Sequence, residues 1–126
     1  MDTRDVIDTY YDSVNRGDWD TWLTLFTDDV IIDEQLAGHA EGIEILRGAP
    51  DAFKRGYSKF QNVPRHIVID GDEVAVVSHI SAANASGEPI EAEVANYFRL
   101  EDGKIAYMAN FHDSVPFQPY TSQDLG

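Results

Sequence analysis

The 126-residue chain carries 23 acidic and 9 basic side chains, a net charge of −14, and it contains no cysteine. Such an acidic protein repels phosphate backbones and anionic lipid surfaces, so the composition argues against nucleic-acid and membrane partners. The absence of cysteine excludes a disulfide framework and is compatible with a reducing compartment. The first residues lack a basic segment followed by an apolar one, so we predict a cytoplasmic protein. The length predicts one domain spanning residues 1–126.

The chain begins with two predicted helices. The first starts after Asp2, which can cap it, and stops at Gly17, with apolar residues recurring at helical spacing in between. Asp18 caps a second, shorter helix whose apolar side carries two tryptophans.

A strand rich in branched apolar residues follows, in the stretch "VIIDE". Alternation places Val30, Ile32 and Glu34 on one face and Ile31 and Asp33 on the other. If the first face is buried, the Glu34 carboxylate lies beside apolar walls, which is unfavourable unless the position has a use. The alternative is that Glu34 is solvated at the strand end.

The middle of the chain is predicted to hold an irregular turn, a short returning strand and a third helix. The turn and the strand fall in "AGHAEGIEIL", residues 37–46. The helix begins near Pro50, since proline is favoured in a first turn, and the spacing of Phe53, Tyr57 and Phe60 continues it.

From residue 62 onward the pattern predicts four strands separated by turn-forming clusters of Gly, Asp, Glu and Ser. The connections are short enough to force an antiparallel meander. Helices followed by such a sheet predict an α+β domain in which the helices cover one sheet face. The four stretches are "RHIVID", "EVAVVSHISAAN", "PIEAEVANYFRL" and "KIAYMANFH".

Polar side chains interrupt the apolar faces of the last two strands. Asn96 is the only polar side chain on the apolar face of "IEAEVANYFRL". A buried amide without a partner costs about 1 to 3 kcal/mol, so Asn96 needs a fixed protein partner, water or a ligand. In the last strand Met108, Asn110 and His112 share one face, but both faces are partly apolar, so alternation does not decide which is inside.

Three stretches resemble the nuclear-transport-factor-2-like superfamily: "YYDSVNRGDWDTWLTLFTDDVIIDE", "LRGAPDAF" and "YFRLEDGKIAYMANFHD". Within it, the chain is similar to SnoaL-like polyketide cyclases and ketosteroid isomerases. The resemblance implies a cone-shaped fold, in which a curved antiparallel sheet packs on three N-terminal helices and encloses an apolar pocket. Proteins of this kind are commonly homodimers.

The resemblance also implies roles for individual residues. Tyr10 matches the oxyanion tyrosine of the isomerases, and Glu34 matches their proton-shuttling carboxylate, with glutamate in place of aspartate. Their second oxyanion donor, a protonated aspartate, is Asn96 here. The acid/base aspartate of the cyclases corresponds to Asn110, which cannot take up a proton, and His112 on the same face is the nearest titratable substitute.

These matches imply a cofactor-independent acid/base enzyme that acts on a small hydrophobic carbonyl compound through an enolate, as an isomerase or a polyketide cyclase. Glu34 or His112 is the base, with Tyr10 and Asn96 as hydrogen-bond donors. No nucleotide, flavin or metal motif is present, so we predict no cofactor and no metal. The residues predicted to contact the ligand are Trp22, Val30, Ile32, Phe53, Val94, Phe98, Met108 and Asn110.

The alternative function is a non-catalytic module of the same fold, which binds a hydrophobic ligand or serves only in dimerisation. In that case Glu34 is solvated and Tyr10 is a core residue. In both cases we expect a homodimer through the outer sheet face, because Tyr107, Ala109 and Phe111 lie on the second face of the last strand and would form an exposed patch in a monomer.

Overall fold

The computed structural model describes residues 1–125 and has an α+β fold, as the sequence predicts. None of the helices in that range is long and apolar enough to cross a membrane. The elements are, in chain order, α1 (Thr3–Arg16), α2 (Trp19–Leu23), β1 (Phe26–Glu34), β2 (Gly38–Glu41), α3 (Ile43–Arg47), α4 (Ala49–Gly56), β3 (Tyr57–Asp70), β4 (Glu73–Asn84), β5 (Pro89–Glu101), β6 (Lys104–Phe111), a short 3-10 helix (Val115–Phe117) and α5 (Gln118–Thr121).

Helix α1 is held at both ends by the residues that predicted its limits. The Asp2 carboxylate accepts the Asp5 N–H at 2.9 Å, and the Asp5 carboxylate accepts the Asp2 N–H at 3.3 Å, which forms a capping box. Gly17 ends the helix with φ of 69°, a left-handed conformation that glycine adopts without steric cost. The buried side of α1 carries Tyr10, whose ring centroid lies 5.0 Å from that of Phe98 in β5.

The six strands form one curved open sheet in the order β2-β1-β6-β5-β4-β3. The meander from β3 to β6 is antiparallel, as predicted. Strand β1 differs from the prediction of a wholly antiparallel sheet, because it runs parallel to β6 and antiparallel to β2. A parallel pair needs a long crossover connection, and the chain from β2 to β5 supplies it. This pairing places Glu34 opposite Asn110.

The segment between β1 and β3 differs from the sequence prediction in two ways. Residues Ile43–Arg47 form α3, so four helices rather than three precede β3. Helix α4 ends at Gly56, and Tyr57 is extended with φ of −124° and ψ of 131°, so the predicted continuation of this helix to Phe60 is wrong. The aromatic spacing was ambiguous because the rings cluster in either conformation, with the Phe53 and Phe60 centroids 4.8 Å apart.

The chain after β6 folds back against β4 and β5. Phe117 is buried, and its ring lies against that of His112 with the centroids 4.3 Å apart. Tyr120 stacks on Tyr57, with centroids 4.5 Å apart and ring planes 9° from parallel. Gly56 leaves room for this stack, since a Cβ atom there would clash with the Tyr120 ring. The tail therefore covers the space between the helices and the sheet.

Candidate active site

A cavity of about 110 Å³, called the inner cavity below, lies between α1, α2, the inner sheet face and the tail. Most of its lining is apolar or aromatic. The four residues predicted to be catalytic all line it: Tyr10, Glu34, Asn96 and His112. Four of the residues predicted to contact a ligand line it too: Trp22, Phe53, Val94 and Asn110.

Three other predicted ligand contacts, Val30, Phe98 and Met108, do not reach this cavity. Val30 and Phe98 have no exposed surface and Met108 is 4% exposed, and all three pack in one core cluster with Val6 and Ile7 of α1. They lie on the predicted strand faces, but where α1 covers the sheet. Alternation identifies the face of a strand and not the depth along it, so these three residues share the predicted faces without lining the inner cavity.

Ile32 lines a second pocket of about 570 Å³, the outer pocket, which is bounded by β1, β2, α3 and α4. The two spaces adjoin, because Glu34, Leu36, Phe53 and Tyr57 line both. The outer pocket falls within the size range of about 300 to 1,000 Å³ that is common for small-molecule sites. The inner cavity is smaller than the roughly 150 Å³ cavity that holds a benzene molecule.

Glu34 stands at the end of β1, and the turn that follows fixes its carboxylate. Its Oε2 accepts the backbone N–H of Leu36 at 2.8 Å and that of Ala37 at 2.6 Å. The side chain is 27% exposed, so it is neither solvated freely nor sealed in the core. Because Oε2 is occupied by these two donors, Oε1 is the oxygen that faces His112.

His112 presents one defined ring nitrogen to Glu34. Its Nδ1 lies 2.8 Å from the carbonyl oxygen of Asp113, and since a carbonyl only accepts, Nδ1 carries a proton. In the neutral ring Nε2 therefore has a free lone pair, and it lies 3.6 Å from Glu34 Oε1. The side chain is 3% exposed. Within residues 1–125 no three His, Cys, Asp or Glu side chains form a group that could hold a metal ion.

Asn96 has its hydrogen-bonding partners within the protein. Its Nδ2 lies 2.9 Å from Ser78 Oγ and 3.1 Å from the Val76 carbonyl, and its Oδ1 accepts Nδ2 of Asn110 at 2.7 Å. Both amide protons are thus used on the neighbouring strand β4, and the expected role of Asn96 as a second oxyanion donor does not fit this geometry. Asn96 instead fixes Asn110 beside Glu34.

Tyr10 places a hydroxyl group in the same cavity from α1. Burial is the main cause that raises the pKa of this hydroxyl far above its usual value; the Trp22 indole N–H acts in the opposite direction, and the charge of Glu34 raises it further. Tyr10 is therefore protonated at neutral pH and can donate a hydrogen bond to a ligand oxygen.

Asn62 is the most informative lining residue that the sequence prediction missed. It is 7% exposed and lies on β3, with Phe60 on the same strand face, and both residues line the inner cavity. Had β3 been predicted from Tyr57 onward, alternation would have shown a polar residue on an inner face, as it did for Asn96. Phe117 also lines the cavity, but the tail has no periodicity that could have indicated it.

A family model described as a SnoaL-like domain matches residues 7–108. No curated protein matches the chain by sequence.

Several solved structures share the fold over nearly the whole chain. An NTF2-like protein of unknown function from Burkholderia pseudomallei has a TM-score of 0.87 and 14% identity, covering 96% of this chain and 98% of that chain. IdmH, a candidate polyketide cyclase from Streptomyces antibioticus, has a TM-score of 0.80 and 23% identity, covering 98% of this chain and 100% of that chain. A protein with a ketosteroid isomerase-like fold from Catenulispora acidiphila, in complex with trimethylamine, has a TM-score of 0.82 and 12% identity. The match covers 95% of this chain and 94% of that chain.

Proposed function

Because the matching model spans most of the chain, the protein belongs to the SnoaL-like domain family, and from this premise we propose that it is a cofactor-independent acid/base enzyme for a small hydrophobic carbonyl compound. The observation that carries the proposal is the pair formed by Glu34 and His112. Their facing atoms lie 3.6 Å apart in the wall of an otherwise largely apolar cavity. A base with a charge partner, held in a water-poor site, is what proton abstraction from carbon requires.

The reaction begins when a proton leaves the carbon next to the substrate carbonyl. Either Glu34 Oε1 accepts the proton and becomes neutral, or His112 Nε2 accepts it and the Glu34 carboxylate stabilises the imidazolium that forms. The electron pair of the C–H bond moves into an enolate, whose oxygen accepts a hydrogen bond from the Tyr10 hydroxyl. Return of the proton to a different carbon gives an isomer, whereas attack of the enolate carbon on a second carbonyl closes a ring.

Deuterium exchange tests this step without knowledge of the natural substrate. We expect the protein to speed the replacement of the methyl protons of acetophenone, 4-methylacetophenone or 4-hydroxyacetophenone by deuterium in D₂O by about 10²-fold or more over buffer, measured by proton NMR. These ketones combine one aromatic ring with protons next to a carbonyl.

The competing function is a module that only binds a hydrophobic ligand, and the large outer pocket is the observation in its favour. Chemical-shift changes that report binding of these ketones, with no exchange above buffer, would support that module and contradict the enzyme.

We also propose that the protein forms a homodimer through the outer sheet face. The residues expected to form the patch need correction, because Ala109 is 3% exposed and Tyr107 donates its hydroxyl to Asp33 at 2.6 Å. The exposed apolar row instead crosses β4, β5 and β6 and consists of Val77, Ala95 and Phe111, which are paired in register. Val77 is 42% exposed and Phe111 is 51% exposed.

Light scattering after size-exclusion chromatography checks this assembly. We expect a dimer at micromolar concentration, and a monomer for Val77→Glu, because a charge in the row would be buried without a partner. Val115→Glu is the matched control, since Val115 is 61% exposed but lies in the tail. A parent protein that elutes as a monomer would contradict the proposal.

A further inference from the structure

The groups proposed to act on the substrate line a space that is too small for a ring. Tyr10 and His112 line the inner cavity and are not among the residues that line the outer pocket. The inner cavity measures about 110 Å³, which is less than the roughly 150 Å³ of a cavity that holds benzene and equals the liquid volume of roughly three or four water molecules. The part of a ligand that reaches Tyr10 and His112 is therefore no larger than a carbonyl group with one or two attached carbon atoms.

Glu34 lies where the inner cavity meets the outer pocket. It belongs to the lining of both spaces, together with Leu36, Phe53 and Tyr57. The bonds of Oε2 to two backbone N–H groups hold the carboxylate at this junction, and Oε1 lies 3.6 Å from His112 Nε2. A ligand whose carbonyl end lies beside this pair thus has the outer pocket as the adjoining space for its other atoms.

The outer pocket suits an uncharged, apolar group. Its volume of about 570 Å³ is several times that of the inner cavity. Within residues 1–125, Glu34 is the only charged side chain in its lining. Much of the space exists because six of the lining residues are glycines or alanines, with little or no side chain: Ala37, Gly38, Ala40, Gly48, Ala49 and Ala52. Burial of apolar surface against such walls is favourable and does not require a polar partner.

A third space beside the same aromatic side chains suits an apolar group less well. This cleft of about 250 Å³ shares Phe53 and Tyr57 with the other two spaces, but its lining includes Arg16, Lys54 and Lys59, and Glu34 does not belong to it. Cationic side chains keep water around their charged ends, so an apolar group gains less from contact with them. The outer pocket is therefore the better place for the rest of the ligand.

We infer that the ligand is divided between the two spaces at Glu34. A small carbonyl end enters the inner cavity, and an apolar part attached to it fills the outer pocket, where Ala40 and Ala52 limit its size. The reacting carbon then lies outside the ring system of the ligand, because a ring that contained it would have to enter the inner cavity. The reaction at the carbonyl end rests on the proposed function, whereas the division itself requires only binding.

Two ketones with the same number of carbon atoms test the position of the reacting carbon. In 4-ethylacetophenone the protons next to the carbonyl are on a methyl group outside the ring, whereas in 1-tetralone they are on a ring carbon. We expect the parent protein to accelerate deuterium exchange, relative to the buffer rate of each ketone, at least about tenfold more for 4-ethylacetophenone.

Two substitutions that fill the outer pocket test where the apolar part binds. Ala52→Phe adds a ring from α4 and Ala40→Phe adds one from β2. Each should weaken the binding of 2-acetylnaphthalene by about tenfold or more in calorimetric titration, and weaken that of acetophenone less, because its apolar part is smaller. Ala85→Phe is the matched control, since Ala85 is exposed in the turn between β4 and β5 and lines neither space, so the affinities should not change.

The outcomes separate this inference from the proposed function. Equal acceleration of exchange above buffer for 4-ethylacetophenone and 1-tetralone would overturn the division, as would an affinity for 2-acetylnaphthalene that both filled variants retain. Reduced affinity in the filled variants with no exchange of any ketone would contradict only the proposed function. Exchange of 4-ethylacetophenone with undiminished binding of 2-acetylnaphthalene in the filled variants would contradict only the division.

Discussion

Glu34→Gln is expected to lower the rate of deuterium exchange by about 10²- to 10⁴-fold while ketone binding stays close to that of the parent protein. The glutamine oxygen can accept the N–H groups of Leu36 and Ala37 as Oε2 of Glu34 does, so the turn after β1 is preserved. The amide nitrogen then takes the place of Oε1 beside His112. It carries no charge and cannot accept a proton, so only the chemistry is removed. NMR exchange rates and calorimetric titration measure the two effects separately.

The neighbouring carboxylate offers a matched control. Asp33 is on the same strand but on the outer face, where the Tyr107 hydroxyl and the His39 imidazole hold the pKa of its carboxyl below the usual value. Asp33→Asn should leave the exchange rate essentially unchanged, because this carboxylate does not line the inner cavity. A Glu34→Gln variant that exchanges as fast as the parent protein would remove Glu34 from the mechanism.

The elements with local signals were predictable from the sequence. Helix α1 has a capping aspartate and a terminal glycine, and the meander has turn clusters between alternating strands. Helix α3 and the start of β3 were not, because short segments with mixed apolar spacing fit either conformation until tertiary packing decides. Tyr57 is the clearest example: its ring contacts Phe53 and Phe60 as a helical residue would, yet its backbone is extended.

The sequence predicted the positions of the site residues better than it predicted their hydrogen bonds. Alternation and family resemblance indicated that Tyr10, Glu34 and Asn96 face one space, and the three residues line one cavity. The hydrogen bond of Asn96 to Ser78 depends on the register of β4 against β5, which no local pattern determines. The proton on His112 Nδ1 depends likewise on the path of the chain after β6. Sequence therefore located the polar groups better than it assigned their roles.

His112→Asn is expected to lower the exchange rate by about 10²- to 10⁴-fold, as Glu34→Gln does. The double variant should be at most a few fold slower than the slower of the two single variants. The asparagine Nδ2 can take the position of Nδ1 and keep the hydrogen bond to the Asp113 carbonyl, while the nitrogen that faces Glu34 is lost. If the two groups act as one unit, the first substitution already removes the catalytic effect that they share, so the second slows the exchange little further. Two independent groups would instead multiply their effects.

His39→Asn is the control, because the His39 imidazole also contacts two carboxylates but lies on the outside of the protein. A full rate in His112→Asn with a lost rate in Glu34→Gln would make Glu34 the only base, and the reverse result would make His112 the base and Glu34 dispensable.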